Sequence, residues 1–147
     1  MRIMSYVGTI AALTLAAWTP ALQAHHAFAA EFDANKPVHF GEATVYKVEL
    51  INPHSWIHVD VKLADGTTER WAIEAGSPNI LMRRGITRNT LKKGDKIVID
   101  GYQAKDGSKR ANGRDLKLPD GQQLFLGSSN GEGAPYEVPR PGVDVKK

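Results

Sequence analysis

No cysteine occurs among the 147 residues. Disulfides, zinc–thiolate centres and thiol redox chemistry are therefore excluded. Other signatures are missing too: there is no glycine-rich phosphate loop, no H-E-x-x-H zinc helix and no G-x-S-x-G nucleophile elbow. Serine, histidine and aspartate are present, but no spacing fixes them into a triad, so hydrolysis has no support. A concentrated basic patch is also lacking. The formal charge is +3, and the densest clusters, Arg83-Arg84 with Arg88 and Lys92-Lys93, are short and not interleaved with aromatics. Nucleic-acid recognition needs a basic face, so no nucleic-acid partner is expected. What remains is an ordinary balance of 41% hydrophobic and 24% charged residues, typical of a soluble globular chain. One domain of this size can bury a core without disulfides.

The first 24 residues differ from the rest. Arg2 is followed by an apolar run, Val7–Trp18 (VGTIAALTLAAW), and then by Pro20. This is the order of a secretory signal, and the run is shorter than the ~20 residues a membrane span needs. We read residues 1–24 as a cleaved signal, which implies a periplasmic or secreted protein with no membrane association once the signal is removed; a retained anchor is the alternative. Two cuts compete. One follows Ala24 and makes His25 the first residue. The other follows Ala29, where Ala27-Phe28-Ala29 fits the A-x-A pattern better. The first is preferred because it falls soon after Pro20 and the end of the apolar run.

The chain beyond the signal reads as short strands separated by turn signals. Phe40–Leu50 is the first, ended by Ile51-Asn52-Pro53-His54, because proline restricts its predecessor. Trp56–Leu63 alternates, with Ile57, Val59, Val61 and Leu63 on one face and His58, Asp60 and Lys62 on the other. Asp65-Gly66 is a hairpin turn leading to Thr68–Ala75, with Trp71 and Ile73 facing one way. Ser77-Pro78 marks an N-cap and first helical position for a short helix over Asn79–Arg84, stopped by Gly85. Strands follow at Lys96–Tyr102, 110–118 and Gln122–Leu126. This order predicts a mainly β fold, a small OB-like barrel of five to six strands with one short helix between strands 3 and 4. A small β-sandwich is the rival. The expected divisions are the signal, an N-terminal segment over 25–39, the barrel over 40–126 and a disordered Gly/Pro-rich tail over 127–147.

With no thiol present, imidazole and carboxylate are the available transition-metal ligands. The histidines are His25, His26, His39, His54 and His58. A chain beginning at His25 offers its α-amino group and its ring nitrogen to one Cu(II). A second histidine would complete a three-nitrogen site, and the amine can deprotonate because its ordinary pKa is about 7.7–8.0. The bland alternative is a frayed terminus that binds metal without purpose. Phe28 and Phe32 argue against fraying, since two aromatics just behind the histidines would dock the segment. His54 lies in a turn behind Pro53 and would project from the rim, or simply bond the local backbone. In a straight strand His58 would lie on the same face about 13 Å away, at 3.3 Å per residue, too far for joint chelation, and it reads as solvated. Trp56 reads as core before ligand platform, and Glu74 as a carboxylate partner across the hairpin. His39 reads as a plain strand-entry residue. Arg83 and Arg84, with Arg88, suit an anion or acidic partner, or a solvated face.

Motifs in order strengthen this picture: His25-His26-Ala27-Phe28-Ala29-Ala30-Glu31-Phe32-Asp33, Asn52-Pro53-His54-x-Trp56-Ile57, Gly76-Ser77-Pro78-Asn79 with Arg83-Arg84-Gly85, Leu91-x-x-Gly94-Asp95 and Gly101-Tyr102-x-Ala104-Lys105-Asp106-Gly107-Ser108. Over residues 25–128 the chain resembles a family of small exported bacterial proteins, domain of unknown function 6152. The resemblance implies export with His-His at or near the mature start, and no established activity. The expectation is an exported binding protein more than an enzyme. Copper is the most specific cofactor, held by His25 and His54 with His26 or His58 assisting. A metal-free module binding a small molecule or a periplasmic protein through Trp56, Glu74, Arg83 and Arg84 is second. A copper-dependent oxidoreductase is third.

Overall fold

Alternation of apolar and polar side chains underlies the strands, which make up about half of the described residues. The computed structural model describes residues 28–127. A helical turn, α1 (28–31), leads into β1 (Phe32–Glu49), β2 (Ser55–Lys62) and β3 (Thr68–Ala75). Helix α2 (Pro78–Arg83) follows, then β4 (Lys96–Ala104), β5 (Arg110–Lys117) and β6 (Gln123–Phe125). The six strands form one sheet in the order β3-β2-β1-β4-β5-β6, with every neighbouring pair antiparallel. β3 also pairs in parallel with β5 through Ala72↔Arg110, Ile73↔Ala111 and Glu74↔Asn112. That pairing joins five strands in a ring of hydrogen bonds, with β6 on the flank.

β1 makes the ring geometrically feasible. Its first part pairs with β4 and its last part with β2, and only Ala43 and Thr44 face both. Irregularities between Phe40 and Ala43 and between Val45 and Lys47 let it bend, as bulges do. Inward positions recur with period two: Ile57, Val59 and Val61 on β2, Trp71, Ile73 and Ala75 on β3, Ile97 and Ile99 on β4. Leu81 of α2, together with Ile86 and Leu91, closes one side of this core. Backbones approach closely where β4 meets β5. A Cβ on Gly101 would lie 2.3 Å from the Asn112 carbonyl oxygen.

A second, smaller cluster joins Phe28, Phe32, Tyr102 and Ala104. The Phe28 ring lies 5.9 Å from Phe32, stacked, and 5.9 Å from Tyr102, edge-on. Phe28 and Phe32 are thus packed against Tyr102, while the histidines that they were expected to hold lie outside the described residues. Polar ties reinforce this packing: the Lys105 backbone N–H donates to the Glu31 carbonyl at 2.8 Å, and the Lys105 ammonium donates to the Ala29 carbonyl. Beneath it the buried Arg114 donates to the Tyr102 hydroxyl at 3.1 Å.

Several boundaries differ from the sequence reading. β1 begins at Phe32, not Phe40, so residues 32–39 belong to the sheet, and β4 extends to Ala104. His39 is therefore a mid-strand residue, its Nδ1 2.6 Å from Asp100 Oδ1, not a strand-entry residue. Ser77 is extended and makes no side-chain cap bond, so Pro78 at the first turn and Gly85 at φ +89° define α2. Trp56 is not core: inward positions on β2 fall to Ser55, Ile57, Val59 and Val61, which turns Trp56 outward. The expected signal, His25, His26 and residues 128–147 of the tail lie outside the described residues. Among the described residues no helix is long and apolar enough to cross a membrane.

Candidate functional site

The turn that leaves β1 builds one wall of a cleft. Ile51, Asn52, Pro53 and His54 lie there, with the Asn52–Pro53 peptide cis. Antiparallel register sets Trp56 opposite Glu74, and the parallel pairing sets Glu74 beside Asn112. Arg110 opens β5, and Glu31 and Phe32 arrive from the docked N-terminal segment. Together these side chains, apart from Asn112, line a cleft of about 270 Å³.

Its electrostatics centre on Glu74, whose side chain is 12% exposed. His54 Nδ1 lies 3.0 Å from Glu74 Oε1. Burial pushes the Glu74 carboxyl above the usual carboxylate range, and the nearby Glu31 charge adds to this. The His54 and Arg110 charges and a hydrogen bond from the Asn112 amide act the other way. Arg110 donates to Glu31 Oε2 at 2.6 Å, and its guanidinium stands 5.9 Å from the Phe32 ring centre. The Arg110 Nε and the Asn112 Oδ1 are buried without a hydrogen-bond partner. Chemically the cleft offers an imidazole, two carboxylates and a guanidinium between aromatic walls. It can hold a cation through His54 and Glu74, or pack a flat apolar group on Trp56.

The structure brings together three of the residues singled out in sequence, His54, Trp56 and Glu74. Others are elsewhere. His58 Nε2 pairs with Glu49 at 2.8 Å, on a half-buried side chain instead of a solvated one, and Lys47 and His58 hold the Glu49 carboxyl below its usual range. Arg83 is exposed at the end of α2. Arg84 donates to the carbonyls of Phe125 and Gly127 and sits 4.7 Å over the Phe125 ring. Burial lowers its guanidinium pKa. It holds the end of β6 and does not line the cleft. Among the described residues, no group of three or more histidines and carboxylates is arranged to hold a metal ion. Glu31, Arg110 and Asn112 were not singled out by sequence. The only signal was Glu31, six positions after the first histidine of the pair.

A family model described as "Family of unknown function (DUF6152)" matches residues 11–113. The matched stretch spans every residue lining the cleft, and His25 and His26 as well. No curated protein and no solved structure matches the chain.

Proposed function

The chain belongs to the DUF6152 family, a family of unknown function, and from that premise we propose that it is an exported, non-enzymatic binding protein that takes Cu(II) at the His54–Glu74 cleft. In this reading the ring of strands is an OB-like barrel. The cleft lies where that fold binds ligands, on the face of strands 2 and 3 beside the loop between strands 1 and 2. Cu(II) is held by the α-amino group and ring of a mature N-terminal His25 together with His54, with His26 assisting. Imidazole and amine nitrogen suit this ion.

One observation carries the reading: Phe28 and Phe32 anchor the segment behind the histidine pair, and Phe32 itself lines the cleft. His25 is three positions before Phe28 in the sequence, a span of at most about 11 Å at 3.3–3.6 Å per residue. The same anchoring favours the cut after Ala24. A cut after Ala29 would discard Phe28, which is 7% exposed in a packed aromatic cluster.

Intact mass of the exported protein is expected to begin at His25; a chain starting at Ala30 overturns the copper reading. Given His25, Cu(II) titration followed by electron paramagnetic resonance is expected to give a nitrogen-rich tetragonal signal. His25→Ala and His54→Ala are each expected to weaken binding at least tenfold, in line with the loss of a ligand nitrogen. The aromatic wall favours a second reading, a metal-independent site for a flat small molecule on Trp56. There Trp56→Ala abolishes binding and His25→Ala does not.

A further inference from the structure

We infer that the cleft takes a small organic cation, a protonated amine whose ammonium is held between the Trp56 ring and the Glu74 carboxylate and whose apolar body packs on Ile51 and Pro53. This rests on the metal-independent reading, to which it adds the charge of the ligand, and it needs neither Cu(II) nor the N-terminal histidines.

Sheet register builds the platform. Trp56 faces outward on β2, directly opposite Glu49 of β1 and Glu74 of β3. Opposed residues share one face of a sheet, with Cβ atoms about 4.5–5.5 Å apart, so the tryptophan is flanked by a carboxylate on either side. An indole presents negative π-faces, and a cation on such a face is held more strongly where water is excluded. The acids around it differ in what already neutralises them. Glu49 is engaged on both oxygens, by Lys47 and by His58. Glu31 is bonded by Arg110 at 2.6 Å, and this pair also neutralises the one arginine that lines the cleft. Glu74 is the cleft carboxylate with no lysine or arginine ion pair among the described residues. Its neighbours are the His54 ring, 3.0 Å from Oε1, and the Asn112 amide. Its side chain is 12% exposed, so water screens it only in part and a bound ammonium supplies a counter-charge. The other wall suits the rest of an amine: Ile51 is apolar and 51% exposed, in the turn that also carries Pro53. An anionic ligand would bring its charge against Glu31 and Glu74, and a neutral one would leave Glu74 uncompensated. At about 270 Å³ the cleft falls below the roughly 300–1,000 Å³ of pockets for drug-sized ligands, so the amine is a small one.

Three probes of similar shape test this on the exported protein in the presence of a chelator: phenethylamine, phenethyl alcohol and phenylacetate. Affinities are read by calorimetry, and the Trp56 indole N–H resonance reports whether the probe sits in the cleft. Phenethylamine is expected to bind at least about tenfold more tightly than phenethyl alcohol, the factor that a charge-assisted bond in a partly buried site supplies. Phenylacetate is expected to bind most weakly. Glu74→Gln keeps the side chain's shape. It is expected to bring phenethylamine down to the affinity of the alcohol and to leave the alcohol unchanged, so the second probe separates a lost charge from a lost fold. Trp56→Ala is expected to weaken both. An alcohol or an acid that binds as tightly as the amine, or amine binding untouched by Glu74→Gln, overturns this inference and leaves the flat ligand on Trp56 standing. No shift of the Trp56 resonance with any of the three probes overturns both.

Discussion

Single residues carry the sharpest consequences. Burial, with the nearby Glu31 charge, pushes the Glu74 carboxyl above its usual range, and the His54 and Arg110 charges offset this only in part. A carboxyl whose pKa is raised by folding contributes stability below the ordinary carboxylate range and loses it as pH rises through the shifted value. Glu74→Gln removes that cost. In metal-free protein its melting temperature relative to wild type is therefore expected to rise between pH 5 and pH 8; a constant difference refutes the assignment. The other shifted carboxylates among the described residues have the opposite sign. Asp60, bonded to Arg70 at 2.8 Å, is held below its usual range, so its contribution is present at neutral pH and lost as acid protonates it. Gly101 is a packing constraint of another kind. An alanine there would drive its Cβ into the Asn112 carbonyl at 2.3 Å. Overpacking of this sort costs about 2 kcal/mol, so Gly101→Ala is expected to lower the melting temperature by roughly 10 °C in a domain of this size.

At the scale of elements, the N-terminal arm stands out. α1 and the start of β1 lie over Tyr102 and Ala104, held by two aromatic rings, two bonds from Lys105 and the Arg110–Glu31 pair. Phe28→Ala is expected to cost about 3 kcal/mol, the usual loss for a buried phenylalanine, measurable by denaturant unfolding. On the copper reading it is also expected to weaken Cu(II) binding. This arm was poorly legible in the sequence. Asn35-Lys36-Pro37 interrupts the alternation, and proline within a run argues against a strand; here the register with β4 shifts between Phe32 and Pro37 to accommodate it. By contrast β2 and β3 could be read directly, since Ile57, Val59 and Val61 alternate and Asp65-Gly66 supplies the turn between them. The same hairpin made Glu74 a visible neighbour of the His54 strand. The short helix was legible from Pro78 and Gly85, although its serine does not cap it.

At the scale of the whole molecule, what sequence could not supply was long-range pairing. Arg110 reaches the cleft, and Asn112 comes beside Glu74, only because β5 lies parallel to β3, and Glu31 meets Arg110 across a separation of 79 residues. No local pattern encodes either contact, so the site was half visible: its imidazole, its tryptophan and one carboxylate, without the groups that steady them. The parallel β3–β5 pairing has a consequence in time as well as space. Non-local and parallel pairings form late because loop closure must precede them, and this one waits for the chain through Asn112. Until it forms, Glu74 lacks Asn112 and the cleft lacks Arg110. The cleft is thus expected to be among the last features of the fold to mature. A ligand that bridges the N-terminal arm and His54 would then act as a latch on the completed ring, slowing its opening. Hydrogen exchange of the β3 and β5 amides on adding Cu(II) is where that latch is expected to register, with protection rising there more than in the β2–β3 hairpin.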